Sequence, residues 1–300
     1  MRGLWMKKIC YVGLIGRPNV GKSTLINNIL DFDLAIVSNL AQTTRDNIKG
    51  IYNDKESQII FIDTPGIHKA EFLLSEKLNE KSYETIQSVD VVLFITPANE
   101  KLGTGDKFII NKIKETTDAD LIAVITKVDL VEDKNSLDNK AKELKTLGFK
   151  TVLGVGKGFT NTYSDLIEEI KKYSYESEVP YEEDQLSDVS LRFIAKEIIR
   201  ESAINNLYQE VPHSIAVQID EFKENDDETF PYTIFATIFV KSESQKGIVI
   251  GQGGNKIKSI SMSARTKMSK VFDHPVNLFL KVKVDNNWVD KEDRIKKAGY

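Results

Sequence analysis

From Lys7 to about Lys172, short apolar runs alternate with stretches in which apolar positions recur every three or four residues. The runs at 9–15, 59–62, 89–95, 121–125 and 152–155 are nearly continuous. They predict strands buried on both faces. The stretches at 24–30, 75–87, 105–115, 136–147 and 164–172 carry the helical spacing. This alternation predicts an α/β domain with a mostly parallel sheet and helices on both faces. The period is then lost. Residues 174–187 are acidic, contain Pro180 and follow neither repeat, so they read as a linker. Beyond them, Leu191, Ile194, Ala195, Ile198 and Ile199 mark one face of a helix over 190–207. Strand patterns follow at 215–222, 233–240 and 276–284, with a polar turn at Asn225-Asp226-Asp227-Glu228. The expected layout is an extension at 1–5, an α/β domain at 6–173, the linker at 174–187 and a smaller α+β domain at 188–300.

Directly after the first strand pattern the chain reads Gly16-Arg17-Pro18-Asn19-Val20-Gly21-Lys22-Ser23, followed by Thr24 and a helical pattern. This is G-x-x-x-x-G-K-S in its strand–loop–helix setting, the phosphate-binding loop. Its backbone N–H groups and the helix N-terminus attract phosphate oxygens. Lys22 can reach the β- and γ-phosphates, and the Ser23 hydroxyl can ligate Mg²⁺. The strand pattern at 59–62 ends in Asp63-Thr64-Pro65-Gly66. Alone this is a common turn. Forty residues after Ser23 and behind an apolar strand, its carboxylate can hold Mg²⁺ through water, and Gly66 can bring an N–H to a γ-phosphate. After the run at 121–125 comes Thr126-Lys127-Val128-Asp129. An ionised Asp129 only accepts hydrogen bonds, and guanine offers it two donors that adenine lacks. Lys127 can cover the base with its aliphatic stem.

In the second half, Gly251-Gln252-Gly253-Gly254 lies between two helical patterns. A bare G-x-x-G is a weak signal. Its setting, helix–strand–strand–loop–helix–strand, is that of a KH domain, whose loop clamps the backbone of single-stranded RNA. Between Lys241 and Lys283 nine basic residues, among them Lys256, Lys258 and Arg265, face only Glu243 and Asp273. A basic surface beside a Gly loop points to nucleic acid.

The 300 residues suit two domains, and a formal net charge of -4 excludes a uniformly basic nucleic-acid binder without excluding this local patch. The single cysteine, Cys10, cannot form an internal disulfide, and its place in a strand pattern makes it a core residue, which fits a reducing cytosol. No apolar run approaches a membrane span of about 20 residues. Lys7-Lys8 before an apolar run imitates a signal peptide, but no cleavage pattern follows.

These motifs, in this order, make the chain resemble the translation-factor class of GTPases, and within it the Era family of ribosome-assembly GTPases. The likeness runs through Arg192-Phe193-Ile194-Ala195-Lys196-Glu197-Ile198-Ile199-Arg200-Glu201 to Trp288 and Ala298-Gly299-Tyr300. It implies a type II KH second domain and a GTP/GDP cycle with Mg²⁺. It implies binding of the 3′ end of 16S ribosomal RNA during 30S maturation by a monomer. It also implies a cytoplasmic location with loose peripheral attachment to the inner face of the membrane. In Ala41-Gln42-Thr43-Thr44-Arg45, the resemblance makes Thr44 the first-switch ligand of Mg²⁺ and sensor of the γ-phosphate. Three departures stand out. Thr126 replaces the usual Asn, so support of the base loop is expected to weaken while Asp129 still selects guanine. Val155-Gly156-Lys157-Gly158 replaces a Ser-Ala motif, leaving a Gly156 or Lys157 N–H to meet the guanine oxygen. Ile67 replaces the water-orienting Gln of many GTPases, so hydrolysis is expected to be slow. His68 reads as a solvent-facing switch residue rather than a base. In related GTPases without that Gln, an Asn such as Asn19 binds a monovalent cation, which implies K⁺; the alternative for Asn19 is a turn former.

Two other functions compete with a GTP switch: a small-molecule kinase, and an RNA binder with an inert nucleotide site. Asp63–Gly66 and Thr126–Asp129 disfavour the kinase.

Overall fold

The structure is a computed structural model that describes residues 6–32, 46–67, 73–158, 160–207, 215–225, 229–286, 288, 291, 292 and 295. The chain divides into two compact units, the second formed chiefly by the residues from Val189 onward.

The first unit runs β1 (Met6–Ile15), α1 (Lys22–Leu30), β2 (Ile48–Asn53), β3 (Ser57–Asp63), α2 (Leu73–Ile86), β4 (Val91–Pro97), α3 (Thr104–Thr116), β5 (Asp120–Thr126), α4 (Lys134–Thr146), β6 (Thr151–Gly154), α5 (Thr160–Lys171) and β7 (Tyr175–Glu178). The strand order is β2-β3-β1-β4-β5-β6. β1, β3, β4, β5 and β6 are parallel to their neighbours in that core. Every residue of β3 and β4 is buried, as continuous apolar runs demand when both faces are covered. Ile60, Phe94, Ile109, Ile113 and Ile125 share one core cluster, in which the Phe94 ring stacks on Phe149 at 5.5 Å between centroids. Cys10 sits in this sheet with no exposed surface, and burial, with a smaller push from Asp90, raises its thiol to about 12.

Two strands depart from the expectation. β2 pairs antiparallel with β3 where no strand pattern was legible. Its side chains alternate weakly and include Gly50. The stretch read as a linker contains β7, antiparallel to Met6–Ile9 of β1. β4 reaches only Val12–Ile15 on that strand. The N-terminal part of β1 therefore has a free edge, and an open ladder recruits backbone whatever its side chains. Downstream the same stretch stays attached to the sheet. Gln58 bonds the backbone of Tyr181 through both amide atoms. The Ile51 N–H donates to Leu186, and Ser187 donates to the Lys49 carbonyl.

The second unit runs α6 (Leu191–Leu207), β8 (Ala216–Glu224), β9 (Tyr232–Val240), α7 (Glu243–Ile250), α8 (Asn255–Val271) and β10 (Val276–Val284). β9 lies between antiparallel β8 and parallel β10. Ile234, Ala236, Ile238 and Val240 pack on Ala195, Ile199, Ile260, Ala264 and Met268 in one core. Strand alternation sends Thr233, Phe235, Thr237 and Phe239 to the opposite face of the sheet. Helix α6 is more buried than a one-sided pattern predicts. Glu197 and Arg200 are both buried, and Arg200 donates to Glu197 through Nε and a terminal nitrogen. The ion pair lets a second helix face leave solvent.

Candidate functional site

Parallel strands end on one edge of the first unit, and the ends of β1, β3 and β5 bring three motifs together there. Leu14 is level with Asp63, and Pro97 with Thr126. The glycine-rich loop leaves β1 and delivers Lys22 and Ser23 to the first turn of α1. The Ser23 hydroxyl donates to Asp63 Oδ2 at 2.7 Å. A hydroxyl beside a buried carboxylate is a hard-oxygen pair that fits Mg²⁺ with waters and phosphate oxygens completing the shell. Lys22 Nζ lies 3.4 Å and 3.2 Å from the carbonyls of Gly16 and Arg17. Burial lowers its ammonium to about 8, against the opposing pull of Asp63. Phosphate oxygens at this place would supply the missing negative charge.

Arg17 is held elsewhere. Its Nε donates to Asp106 at 2.9 Å and its terminal nitrogen to Glu100 at 2.7 Å. The loop therefore offers the backbone of Arg17 rather than its guanidinium. The motif after β3 is locked against the loop. The Thr64 hydroxyl donates to Leu14 at 2.6 Å, and the Ile67 N–H donates to Gly16 at 3.1 Å. At Gly66 an added Cβ would lie 2.8 Å from the Pro18 backbone, so only glycine permits this approach. Ile67 is buried, and its apolar side chain cannot orient water. Thr43, Thr44 and His68 lie outside the described residues.

A cavity of about 430 Å³ opens beside the loop, lined by Gly21, Thr24, Asn28, Thr126, Lys127, Asp129, Gly156, Lys157 and Tyr163 among others. Three contacts build it. The Thr126 hydroxyl donates to the Val20 carbonyl. Lys127, in the left-handed conformation, donates through Nζ to Asn19 at 2.8 Å. The Lys157 N–H donates to Asp129 Oδ1 at 2.9 Å. Thr126 thus ties the base loop to the phosphate loop, a support that its hydroxyl supplies in place of an amide. The N–H of Lys157, expected at the guanine oxygen, is turned to the Asp129 carboxylate. Two wall residues escaped the sequence reading, Asn28 on α1 and Tyr163 on α5. Neither belongs to a short motif, and only the fold brings them here. Burial, then Asp129, raises the Tyr163 phenol.

In the second unit, the Gly251–Gly254 loop joins α7 to α8. Gly251 (φ 72°), Gly253 (φ 60°) and Gly254 (φ 77°) are all left-handed. At Gly251 an added Cβ would meet the Lys256 Cβ at 2.6 Å. Gln252 and Gly253 are exposed, and α8 directs its N-terminal N–H groups at the loop. Such a turn can take a phosphate against bare backbone. Lys256 and Lys258 sit in the first turn of α8. Arg265 is exposed but roughly 14 Å further along the helix. Of the basic residues counted in this region, Lys267 pairs with Glu201 at 2.8 Å and Lys246 with Glu243 at 3.4 Å.

The fold and these two loops define a P-loop GTPase joined to a KH domain. A family model described as a 50S ribosome-binding GTPase matches residues 11–127, and a KH-domain model matches residues 210–289. The chain belongs to the Era family of GTPases. It is 52% identical to the GTPase Era of Mycoplasmopsis pulmonis over 291 residues, covering 97% of this chain and 99% of that relative. It is 38% identical to the GTPase Era of Fusobacterium nucleatum over 295 residues, covering 98% and 99%. Two solved structures superpose with a TM-score of 0.93 at 34% identity, covering 98% of this chain and 99% of each. One is Era in complex with MgGDPNP and nucleotides 1506–1542 of 16S ribosomal RNA. The other is a point variant of Aquifex aeolicus Era bound to GDP and AlF₄⁻. No helix among the described residues is long and apolar enough to cross a membrane.

Proposed function

We propose that this GTPase is a switch that binds the 3′ end of 16S ribosomal RNA and assists maturation of the 30S subunit. The observation that carries this reading is the near-complete superposition on the Era chain solved with MgGDPNP and that RNA. In the site, backbone N–H groups of residues 16–24 cradle the phosphates and Lys22 neutralises charge developing between the β- and γ-positions. Ser23, Asp63 and Thr44 serve Mg²⁺. Gly66 carries an N–H to the γ-phosphate, with Thr64 and Pro65 holding the turn. Asp129 reads guanine, and Lys127 covers it. Asn19 would hold K⁺, which would supply positive charge near the bridge between the β- and γ-phosphates, and hydrolysis stays slow because Ile67 positions no water. In the KH loop, residues 251–254 clamp RNA backbone, with Lys256, Lys258 and Arg265 adding charge. The protein acts as a monomer in the cytoplasm and attaches loosely to the inner face of the membrane, a reading that rests on the family alone and that vesicle pelleting tests.

The decisive experiment changes Gln252 and Gly253 together to Asp. Aspartate tolerates the left-handed conformation at position 253, so the loop survives. Binding of an oligonucleotide copying the 16S 3′ end is then lost while basal phosphate release from GTP persists. Undiminished RNA binding would remove the KH loop from the mechanism. Absent phosphate release in the wild-type protein would leave an RNA binder with an inert nucleotide site.

A further inference from the structure

The face of the second unit's sheet opposite its helices carries an ordered row of side chains. Phe235 on β9 and Phe279 on β10 are level with each other, and their rings stack at 4.8 Å between centroids with an interplanar angle of 13°. Lys223 on β8 places Nζ 5.8 Å from the Phe235 ring centroid. Because β9 is the middle strand, Lys223 and Phe279 flank Phe235 from opposite sides. The row ends at Phe279, which is 52% exposed on an edge strand. Further along β10, Lys281 and Lys283 point to the same side and are exposed. Of the acidic residues of this face, Asp220 and Glu221 belong to β8, at the other edge, and Asp285 follows the end of β10, beyond Lys283 and away from Phe279. Thr237 donates to Asp220 at 2.7 Å, and Lys223 pairs with Glu221 at 3.1 Å. Positive charge therefore collects on the β10 edge, beside the open ring. A concavity of about 540 Å³ follows along the same face, with Phe239 and Lys283 in its wall and Asp220, Asp285 and Asn286 as hydrogen-bonding groups. It lies roughly 13 Å along the strands from Phe279.

We propose that this face is a second binding surface for single-stranded RNA, distinct from the Gly251–Gly254 loop. One unpaired base stacks on the open side of Phe279. The phosphates that follow run over Lys281 and Lys283. A second base enters the concavity against Phe239, where Asn286 and Asp220 offer both donor and acceptor. Stacking accepts any base, because every base has a π-face, so this surface takes unpaired nucleotides with little sequence preference. The edge charge decides for RNA over a protein partner: an apolar protein patch gains nothing from two lysines beside the exposed ring, whereas a phosphodiester chain does.

The test uses the full chain and three RNAs: ten nucleotides copying the 16S 3′ end, the same ten with fifteen uridines added, and fifteen uridines alone. The added uridines raise wild-type affinity by about tenfold or more, the worth of stacking one base or two. Phe279→Ala removes that gain and the binding of uridines alone, without altering affinity for the ten-nucleotide RNA. Phe279→Tyr keeps the gain. Lys281→Ala with Lys283→Ala lowers the salt slope for the extended RNA by about 0.7 per lysine. Basal GTP hydrolysis and the melting profile report that each variant is folded. No gain from the uridines, or a gain that survives Phe279→Ala, overturns the proposal. Failure of the ten-nucleotide RNA to bind wild-type protein counts against the KH-loop reading instead, and the uridine arms still decide this one.

Discussion

The hydroxyl of Thr126 donates to the carbonyl of Val20, so the segment that reads the base hangs from the segment that holds the phosphates. Thr126→Val keeps the shape and deletes the donor, leaving a buried carbonyl without this partner. GTP and GDP affinity should both fall, roughly tenfold. Thr126→Ser should behave as wild type, because it retains the hydroxyl. Titrations with a fluorescent guanine nucleotide separate the two outcomes. Equal affinities for all three proteins would mean that the bond contributes nothing to nucleotide binding.

Asp129 is already oriented without ligand by the Lys157 N–H. Asp129→Asn puts an amide where guanine presents donors. Preference should move from GTP toward xanthosine triphosphate by tenfold or more. A competition titration measures this, and an unchanged preference for GTP would sink the base-reading role.

Lys22 makes the nucleotide-free protein sensitive to pH. Its folded value is about 8 against an ordinary 10.5. Between those values the folded chain has released a proton that the unfolded chain still binds. This site's contribution to stability therefore rises with pH from about 8 to 10.5 and is level beyond. Lys22→Met, with no ammonium to bury, should be more stable than wild type at pH 7, and its advantage should shrink by pH 10. Urea unfolding at the two pH values tests the sign. The same variant should lose phosphate release by about 100-fold or more, as expected when one positioned charge is removed.

Asn19 adopts the left-handed conformation at the crown of the phosphate loop (φ 63°). If it holds K⁺, turnover should be faster in potassium chloride than in sodium chloride at equal concentration. Asn19→Ala should abolish the difference. A variant that keeps the potassium preference would reduce Asn19 to a turn former.

Strands whose burial is complete were legible, because the inner runs of β3 (59–62) and β4 (91–95) are unbroken apolar sequence. The strands that escaped, β2 and β7, lie at sheet edges, where a neighbour's free ladder matters more than composition. The placement of the described motifs at strand ends and loops was likewise legible, because their spacing from the apolar runs records it. Relations across the fold were not. Nothing in the sequence pairs Arg17 with Asp106, brings Tyr163 to the cavity beside Asp129, or sets Phe279 level with Phe235. These depend on register and on helix placement, which no single segment encodes.

Cys10, sealed within β1, is chemically silent. A thiol without exposed surface, pushed to about 12, presents no thiolate at neutral pH to alkylating or disulfide reagents. Since the sequence contains no second cysteine, the native protein is in effect thiol-free until it unfolds. Any cysteine introduced at an exposed position, Phe279→Cys or Gln252→Cys for instance, becomes a unique handle for a dye or a crosslinker. Each RNA surface can therefore be tagged and followed alone on an otherwise unaltered chain, and late reactivity of Cys10 becomes a built-in clock for unfolding.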